Sequence, residues 1–213
     1  MSVPEVVVVD DHSMVRKGVT MLLQELGWAV SAEASSLQQA NAAVRTTYWS
    51  MMVLDLNLPD GDGLDLIQEL RSAGYKQPIL VHSLMPDAAV AARVFKVGGN
   101  GFISKTCEPD DFLAACRKVD AGGRYVSPEY AEELAMTLAI GASTTNPHEK
   151  LSEREYQVMC LIAAGKTPTE VAKALGCNVN TISTFRSRIL KKLDLKTSMD
   201  IMRYALSRKL VNL

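Results

Sequence analysis

The sequence predicts an α/β unit built on a five-stranded parallel sheet, followed by a smaller all-helical unit. Three observations carry this. Short apolar runs alternate with helical patterns through the first half of the 213-residue chain. From Ser152 onward every apolar repeat is helical, punctuated by capping residues and glycines. Charge divides at the same place: residues 1–122 hold 10 Lys and Arg against 15 Asp and Glu, whereas residues 151–213 hold 11 against 5.

The expected strands are Val6–Val9, Ala29–Ala32, Met51–Leu54, Ile79–Val81 and Phe102–Ile103. Each is short and aliphatic or β-branched, the composition of a strand buried on both faces. Helical patterns lie between them, near residues 13–26, 37–48, 64–73, 87–97 and 109–121. Repeated βα units give a parallel sheet with helices on both sides. The flavodoxin-like strand order 2-1-3-4-5 puts a site at the carboxyl ends of the first and third strands. Gly122-Gly123 ends the last of these helices. Ser127-Pro128 opens another, to about Ile140. Gly141 to Pro147 reads as a flexible linker. The expected organisation is therefore residues 1–122, a linker with one helix over 123–150, and residues 151–213.

In the second unit Ser152 and Glu155 form a capping box, and Gly165 ends that helix. Thr167-Pro168-Thr169-Glu170 opens a short helix that stops at Gly176. Asn178 caps the next, to about Leu193, and Thr197 or Ser198 caps a last one to about Arg208. The two middle helices make a helix-turn-helix pattern. The second of them buries Ile182, Ile189, Leu190 and Leu193 and leaves Thr181, Ser183, Thr184, Arg186, Ser187, Arg188, Lys191 and Lys192. Hydroxyls and arginine there suit base edges, and the later cations suit phosphates. Charge alone fits an ordinary solvated helix face equally well.

Four charged residues follow the strand runs: Asp10 and Asp11 after the first, Asp55 after the third and Lys105 after the fifth. Ser83 ends the fourth run. One rim would receive them all. Three carboxylates that close repel unless a cation sits among them, and all-oxygen ligation suits Mg²⁺. A lysine beside them can hold a phosphoryl group as a point charge. Each residue alone has a plainer reading: Asp11 as a helix cap, Asp55 as a turn carboxylate, Lys105 as a surface charge.

VVVVDDH, LDLNLPDGDG, PILVHS and GNGFISK, over about residues 4 to 122, resemble the receiver domain of two-component response regulators of the NarL/FixJ type. The resemblance implies that Asp55 accepts a phosphoryl group from a sensor histidine kinase. It implies that Asp11 ligates Mg²⁺ directly, Asp10 mainly through water, and Asn57 through its backbone carbonyl. Lys105 and Ser83 would bind the phosphoryl oxygens, and Phe102 holds the place of the aromatic switch residue. The stretch LSEREYQVMCLIAAGKTPTEVAKALGCNVNTISTFRSRILKKL resembles a LuxR-type DNA-binding domain, over residues 151 to about 210. It departs from that pattern at Ser183 and Phe185, near base-reading positions, so the family's operator does not carry over. The implied protein is a phosphorylation-switched transcription regulator, not an enzyme, bound to promoter DNA as a homodimer when active.

Composition sets outer limits. Hydrophobic residues make up 47%, which excludes a disordered chain. No apolar stretch has the length of a membrane span, and the amino terminus reads as a strand rather than a signal peptide, so a cytoplasmic protein is expected. Cys107, Cys116, Cys160 and Cys177 have no metal-ligand spacing and are expected to be reduced thiols. His12 is expected at the surface. Two other functions fit parts of the pattern. One is a regulator whose receiver only binds protein; the intact acidic set and Lys105 weigh against it. The other is a metal-dependent phosphohydrolase; Asn57 in place of a second carboxylate weighs against that.

Overall fold

The computed structural model describes residues 3–84, 88–128, 130–131, 147–208 and 210–211. It divides into two compact units, Met1–Ala142 and Ser143–Leu213.

The first unit is a parallel sheet flanked by helices. Its elements are β1 (Glu5–Val9), α1 (Ser13–Glu25), β2 (Ala29–Ala34), α2 (Leu37–Thr46) and β3 (Met51–Leu54). A two-stranded hairpin follows, β4 (Asn57–Leu58) and β5 (Gly61–Asp62). Then come α3 (Gly63–Ser72), β6 (Ile79–Ser83), α4 (Ala88–Lys96), β7 (Gly101–Ser104), α5 (Pro109–Asp120) and β8 (Tyr125–Val126). The sheet order is β2-β1-β3-β6-β7-β8, all parallel. Its five longer strands reproduce the expected 2-1-3-4-5 order.

Strand alternation sends successive side chains to opposite faces. Val7, Val9, Met52, Leu54, Ile79, Val81 and Phe102 pack with residues of α2, α3 and α4. Val6, Val8, Met51, Val53, Leu80 and Ile103 pack with residues of α1 and α5. Buried on both sides, such strands have no polar face, which is why they read as continuous apolar runs.

Among the described residues the sheet has six strands, not the expected five. Tyr125–Val126 pairs with Gly101–Phe102 at the edge. Two residues are too few to show a period, and neighbouring Gly122-Gly123 mark only the helix end. The β4–β5 hairpin escaped for the same reason. The helix expected from Ser127 to Ile140 and the linker after it lie almost wholly outside the described residues.

Among its described residues the second unit has a short 3₁₀ turn at Pro147–Lys150 and four α-helices: α6 (Glu153–Ala163), α7 (Pro168–Ala174), α8 (Val179–Leu193) and α9 (Ser198–Ser207). The capping boxes at Ser152–Glu155 and Thr167–Glu170 both form, and a third forms at Thr197–Asp200. Asn178 caps α8 by accepting from Asn180 N. Gly165 and Gly176 take left-handed conformations just past α6 and α7. The core joins Leu151, Val158, Met159, Val171, Ile182, Ile189 and Ile201. Leu190, expected in that core, is only half-buried against it. All four cysteines are free. No described helix is long and apolar enough to cross a membrane.

Candidate functional site

Three strand ends build the first site. Asp10 follows β1 and is anchored by its N–H on Ala34 O at 3.0 Å. Asp55 follows β3, its N–H on Val9 O at 2.8 Å. Lys105 follows β7, its N–H on Ser83 O at 2.7 Å. Backbone ladder bonds thus hold the three side chains on one rim, and hydrophobic flanks keep them dry. Their side chains are 4%, 2% and 3% exposed.

Lys105 Nζ lies 2.6 Å from Asp10 Oδ2 and 2.7 Å from Asp55 Oδ2. The remaining oxygens of both carboxylates accept backbone N–H groups: Asp10 Oδ1 from His12 at 2.8 Å, Asp55 Oδ1 from Asn57 at 3.1 Å. Burial raises the Asp55 carboxyl above the usual aspartate range; Lys105 opposes the rise, and the Asp10 charge adds to it. The lysine is therefore a counter-ion in the interior, not a solvated charge. Asp11 does not cap α1, whose cap position is His12 without a side-chain bond.

One positive charge among three carboxylates leaves the rim short of cation. Asp11 Oδ1 is buried and accepts no hydrogen bond. It sits 2.5 Å from His12 Nδ1, in a contact that falls outside hydrogen-bond geometry. Asn57 Oδ1 is likewise buried with no hydrogen-bond partner. Ligand atoms of Asp10, Asp11, His12 and Asp55 lie within 4.8 Å of one another. Clustered carboxylates beside a buried Asn57 oxygen without a hydrogen-bond partner fit a hard divalent cation that prefers oxygen and keeps its waters. This cluster is typical of the Mg²⁺-binding phosphorylation pocket of receiver domains.

His12 is the residue whose contact the sequence reading missed. Its side chain is 51% exposed, as expected of a surface residue, yet the ring rests on both Asp10 and Asp11. Its place directly after the acidic pair was the available signal.

Ser83 and Phe102 are fully buried. Ser83 ends β6 in register with Ser104, and Phe102 packs on the side of α2, α3 and α4. His82, on the other side, packs in a tilted arrangement against Phe112 of α5, ring centroids 5.2 Å apart. Burial, with Lys105 adding to it and Asp10 opposing, pushes the His82 imidazole down to about 4. The ring is neutral at ordinary pH. Gly63 backs onto this rim: a Cβ there would meet Asp55 O at 2.7 Å and Leu56 Cα at 2.8 Å, both backbone atoms.

The second candidate site is the outer face of α8. Thr181, Ser183, Thr184, Ser187, Arg188, Lys191 and Lys192 are exposed. Three hydroxyls donate to carbonyls one turn back: Ser183 to Val179 O at 3.3 Å, Thr184 to Asn180 O at 3.1 Å and Ser187 to Ser183 O at 3.0 Å. Their oxygens remain available as acceptors. Arg186 is half-buried and donates to Ser198 Oγ at 2.6 Å. Lys192 pairs with Glu155 of α6. These last two cations thus have work inside the unit as well as on its surface.

The chain matches the family model described as response regulator receiver domain over residues 6–117. It matches that of bacterial regulatory proteins, luxR family, over residues 149–205. Response regulator UvrY of Escherichia coli K12 is 28% identical over 208 residues, spanning 97% of this chain and 95% of that protein. The crystal structure of a LuxR-family two-component response regulator from Aurantimonas sp. SI85-9A1 is 31% identical, with a TM-score of 0.61, and covers 65% of this chain and 99% of its own. RcsB from Salmonella enterica serovar Typhimurium, solved bound to a promoter in the presence of the phosphomimetic BeF3⁻, shares the fold with a TM-score of 0.60 at 24% identity, over 95% of this chain and 98% of that one. A receiver joined to a helix-turn-helix domain is the architecture of phosphorylation-regulated transcriptional control, and of non-catalytic regulators rather than enzymes. This chain belongs to the two-component response regulators of the NarL/FixJ type, a receiver domain followed by a LuxR-type helix-turn-helix domain.

Proposed function

We propose that Asp55 is the phosphoacceptor, that a sensor histidine kinase supplies the phosphoryl group, and that the phosphorylated chain binds promoter DNA as a homodimer in the cytoplasm. The observation that carries this reading is the buried Lys105 held between Asp10 and Asp55, beside the clustered Asp11 carboxylate.

An Asp55 carboxylate oxygen attacks phosphorus while the bond from phosphorus to the donor breaks. Asp11, Asp55 and the Asn57 carbonyl would hold Mg²⁺, Asp10 mainly through water, and the ion would neutralise charge on the incoming group. Lys105 exchanges its contact with Asp55 for a phosphoryl oxygen. The Ser83 hydroxyl donates to another, and Phe102 follows the change at the adjoining strand. Residues 1–122 serve as the receiver and, beyond 123–150, residues 151–213 serve as the DNA-binding domain. In the latter, Thr181, Ser183, Thr184 and Ser187 face bases, while Arg186, Arg188, Lys191 and Lys192 serve phosphates or base edges. RcsB on its promoter supplies the template for such docking. Dimers match two half-sites one helical turn apart.

The test is intact mass after incubation with acetyl phosphate and Mg²⁺. Wild type gains one phosphoryl group; Asp55→Asn and wild type in excess chelator gain none. An Asp55→Asn protein that labels like wild type overturns the assignment.

A further inference from the structure

We infer that Asp60 is a positioning residue for the phosphorylation site: its carboxylate ties the tip of the β4–β5 hairpin to the start of α2, and this tether sets how tightly the site holds a divalent cation. The inference rests on the reading of the Asp55 rim as a cation and phosphoryl site.

Asp60 lies in the exposed turn of the hairpin, five positions after Asp55. Both of its oxygens are nevertheless engaged. Oδ1 accepts from Leu37 N at 2.7 Å and Oδ2 from Gln38 N at 2.9 Å. The first N–H groups of any helix have no intrahelical acceptor. Here Ser36 provides for the next two, its Oγ accepting from Gln39 N at 3.2 Å and its carbonyl from Ala40 N at 2.9 Å. Helix α2 therefore carries two caps. One is local; the other reaches in from a loop 23 positions away in sequence. A second contact fixes the same tip: a Cβ on Gly61 would lie 2.4 Å from Leu37 Cδ1, so the turn is pressed onto the helix.

The hairpin is a short, stiff lever. Pro59 fixes one backbone angle of its turn. Leu58 pairs with Gly61 and Asn57 with Asp62. At its far end Asn57 N donates to Asp55 Oδ1, Gly63 N donates to Leu56 O at 2.8 Å, and Asp62 caps α3 through Leu64 N at 3.0 Å. Hydrogen bonds at either end, joined by the hairpin backbone between them, thus connect the first turn of α2 through Asp60 and Asn57 to the Asp55 carboxylate. Mg²⁺ demands near-octahedral placement of its oxygens. A group that orients ligand-bearing backbone from outside the ligand set characteristically changes metal affinity by an order of magnitude or more. Releasing the tip frees Asn57 and loosens that placement.

The experiment compares full-length Asp60→Ala with Ser36→Ala. Each removes a cap from α2, but only the first detaches the hairpin. Mg²⁺ is titrated by calorimetry without phosphodonor, and amide hydrogen exchange is followed by mass spectrometry. We expect Asp60→Ala to bind Mg²⁺ about tenfold more weakly and to exchange faster across residues 57–62. Ser36→Ala should exchange faster only at the start of α2 and titrate like wild type. Asp60→Asn, which keeps one acceptor, should fall between. If Asp60→Ala titrates like wild type, or Ser36→Ala weakens Mg²⁺ as much, the inference is overturned. A wild type that binds Mg²⁺ but takes no phosphoryl group would instead overturn the phosphoacceptor reading and leave the titration to decide Asp60.

Discussion

Lys192 Nζ lies 2.6 Å from Glu155 Oε2, joining the last turn of α8 to the first turn of α6. Glu155 is 3% exposed, and the same oxygen accepts Ser152 N at 2.7 Å. Lys192 is 40% exposed. A buried carboxylate that loses its cation is left uncompensated, whereas a fully exposed pair would contribute little.

Lys192→Ala should therefore lower the stability of the DNA-binding unit by about 1–3 kcal/mol. Lys191→Ala, on the same turn but without such a partner among the described residues, should leave the melting temperature unchanged. It should still flatten the salt dependence of DNA binding by about one phosphate's worth. Thermal unfolding of the full chain and salt titrations of operator binding separate the two lysines.

Lys105→Ala removes the counter-ion of two buried carboxylates. We expect a loss of about 3 kcal/mol in metal-free buffer, moderated because the Asp55 carboxyl rises further and takes up a proton. Mg²⁺ should raise the melting temperature of this variant more than that of wild type. Equal Mg²⁺ shifts in the two proteins would contradict the shared-rim geometry.

His82 makes stability depend on pH. Its folded value is held near 4, below the ordinary histidine value of 6.5. The unfolded chain thus binds more protons between those limits, so stability falls as pH drops from about 6.5 towards 4 and is fully retained above. The loss is at most about 3 kcal/mol. His82→Leu should flatten that part of the profile relative to wild type, as read by urea unfolding at pH 7 and pH 4.5.

Gly63→Ala should cost about 1–3 kcal/mol, because its Cβ would press on the backbone of Asp55 and Leu56 rather than on a movable side chain. It should also slow acetyl-phosphate labelling. Normal labelling in a destabilised protein would show that the backbone yields without moving the Asp55 carboxylate.

Asp10, Asp55 and Lys105 could be placed together from sequence because each directly follows an apolar strand run, and parallel strands end on one rim. The caps at Ser152, Thr167 and Asn178 were legible because capping is local chemistry. What escaped depends on distance. Nothing within a few residues of Lys192 announces Glu155, 37 positions earlier, and nothing near Leu37 announces Asp60. Strands of two residues carry no period, so β8 and the hairpin appear only once their neighbours are in place.

The double grip on Lys105 has a consequence for selectivity. A free anion entering the rim would meet an ammonium already shared by two carboxylates, with Asp55 still ionised beside it. Without a bound cation, electrostatics would turn such a visitor away. Covalent transfer as proposed above differs, because the acyl phosphate formed on Asp55 would replace the carboxylate's charge with that of the phosphoryl oxygens and release one of the lysine's two attachments to meet them. On the reading proposed above, the rim without a cation discriminates against dissolved inorganic phosphate and answers to phosphate delivered as a bond.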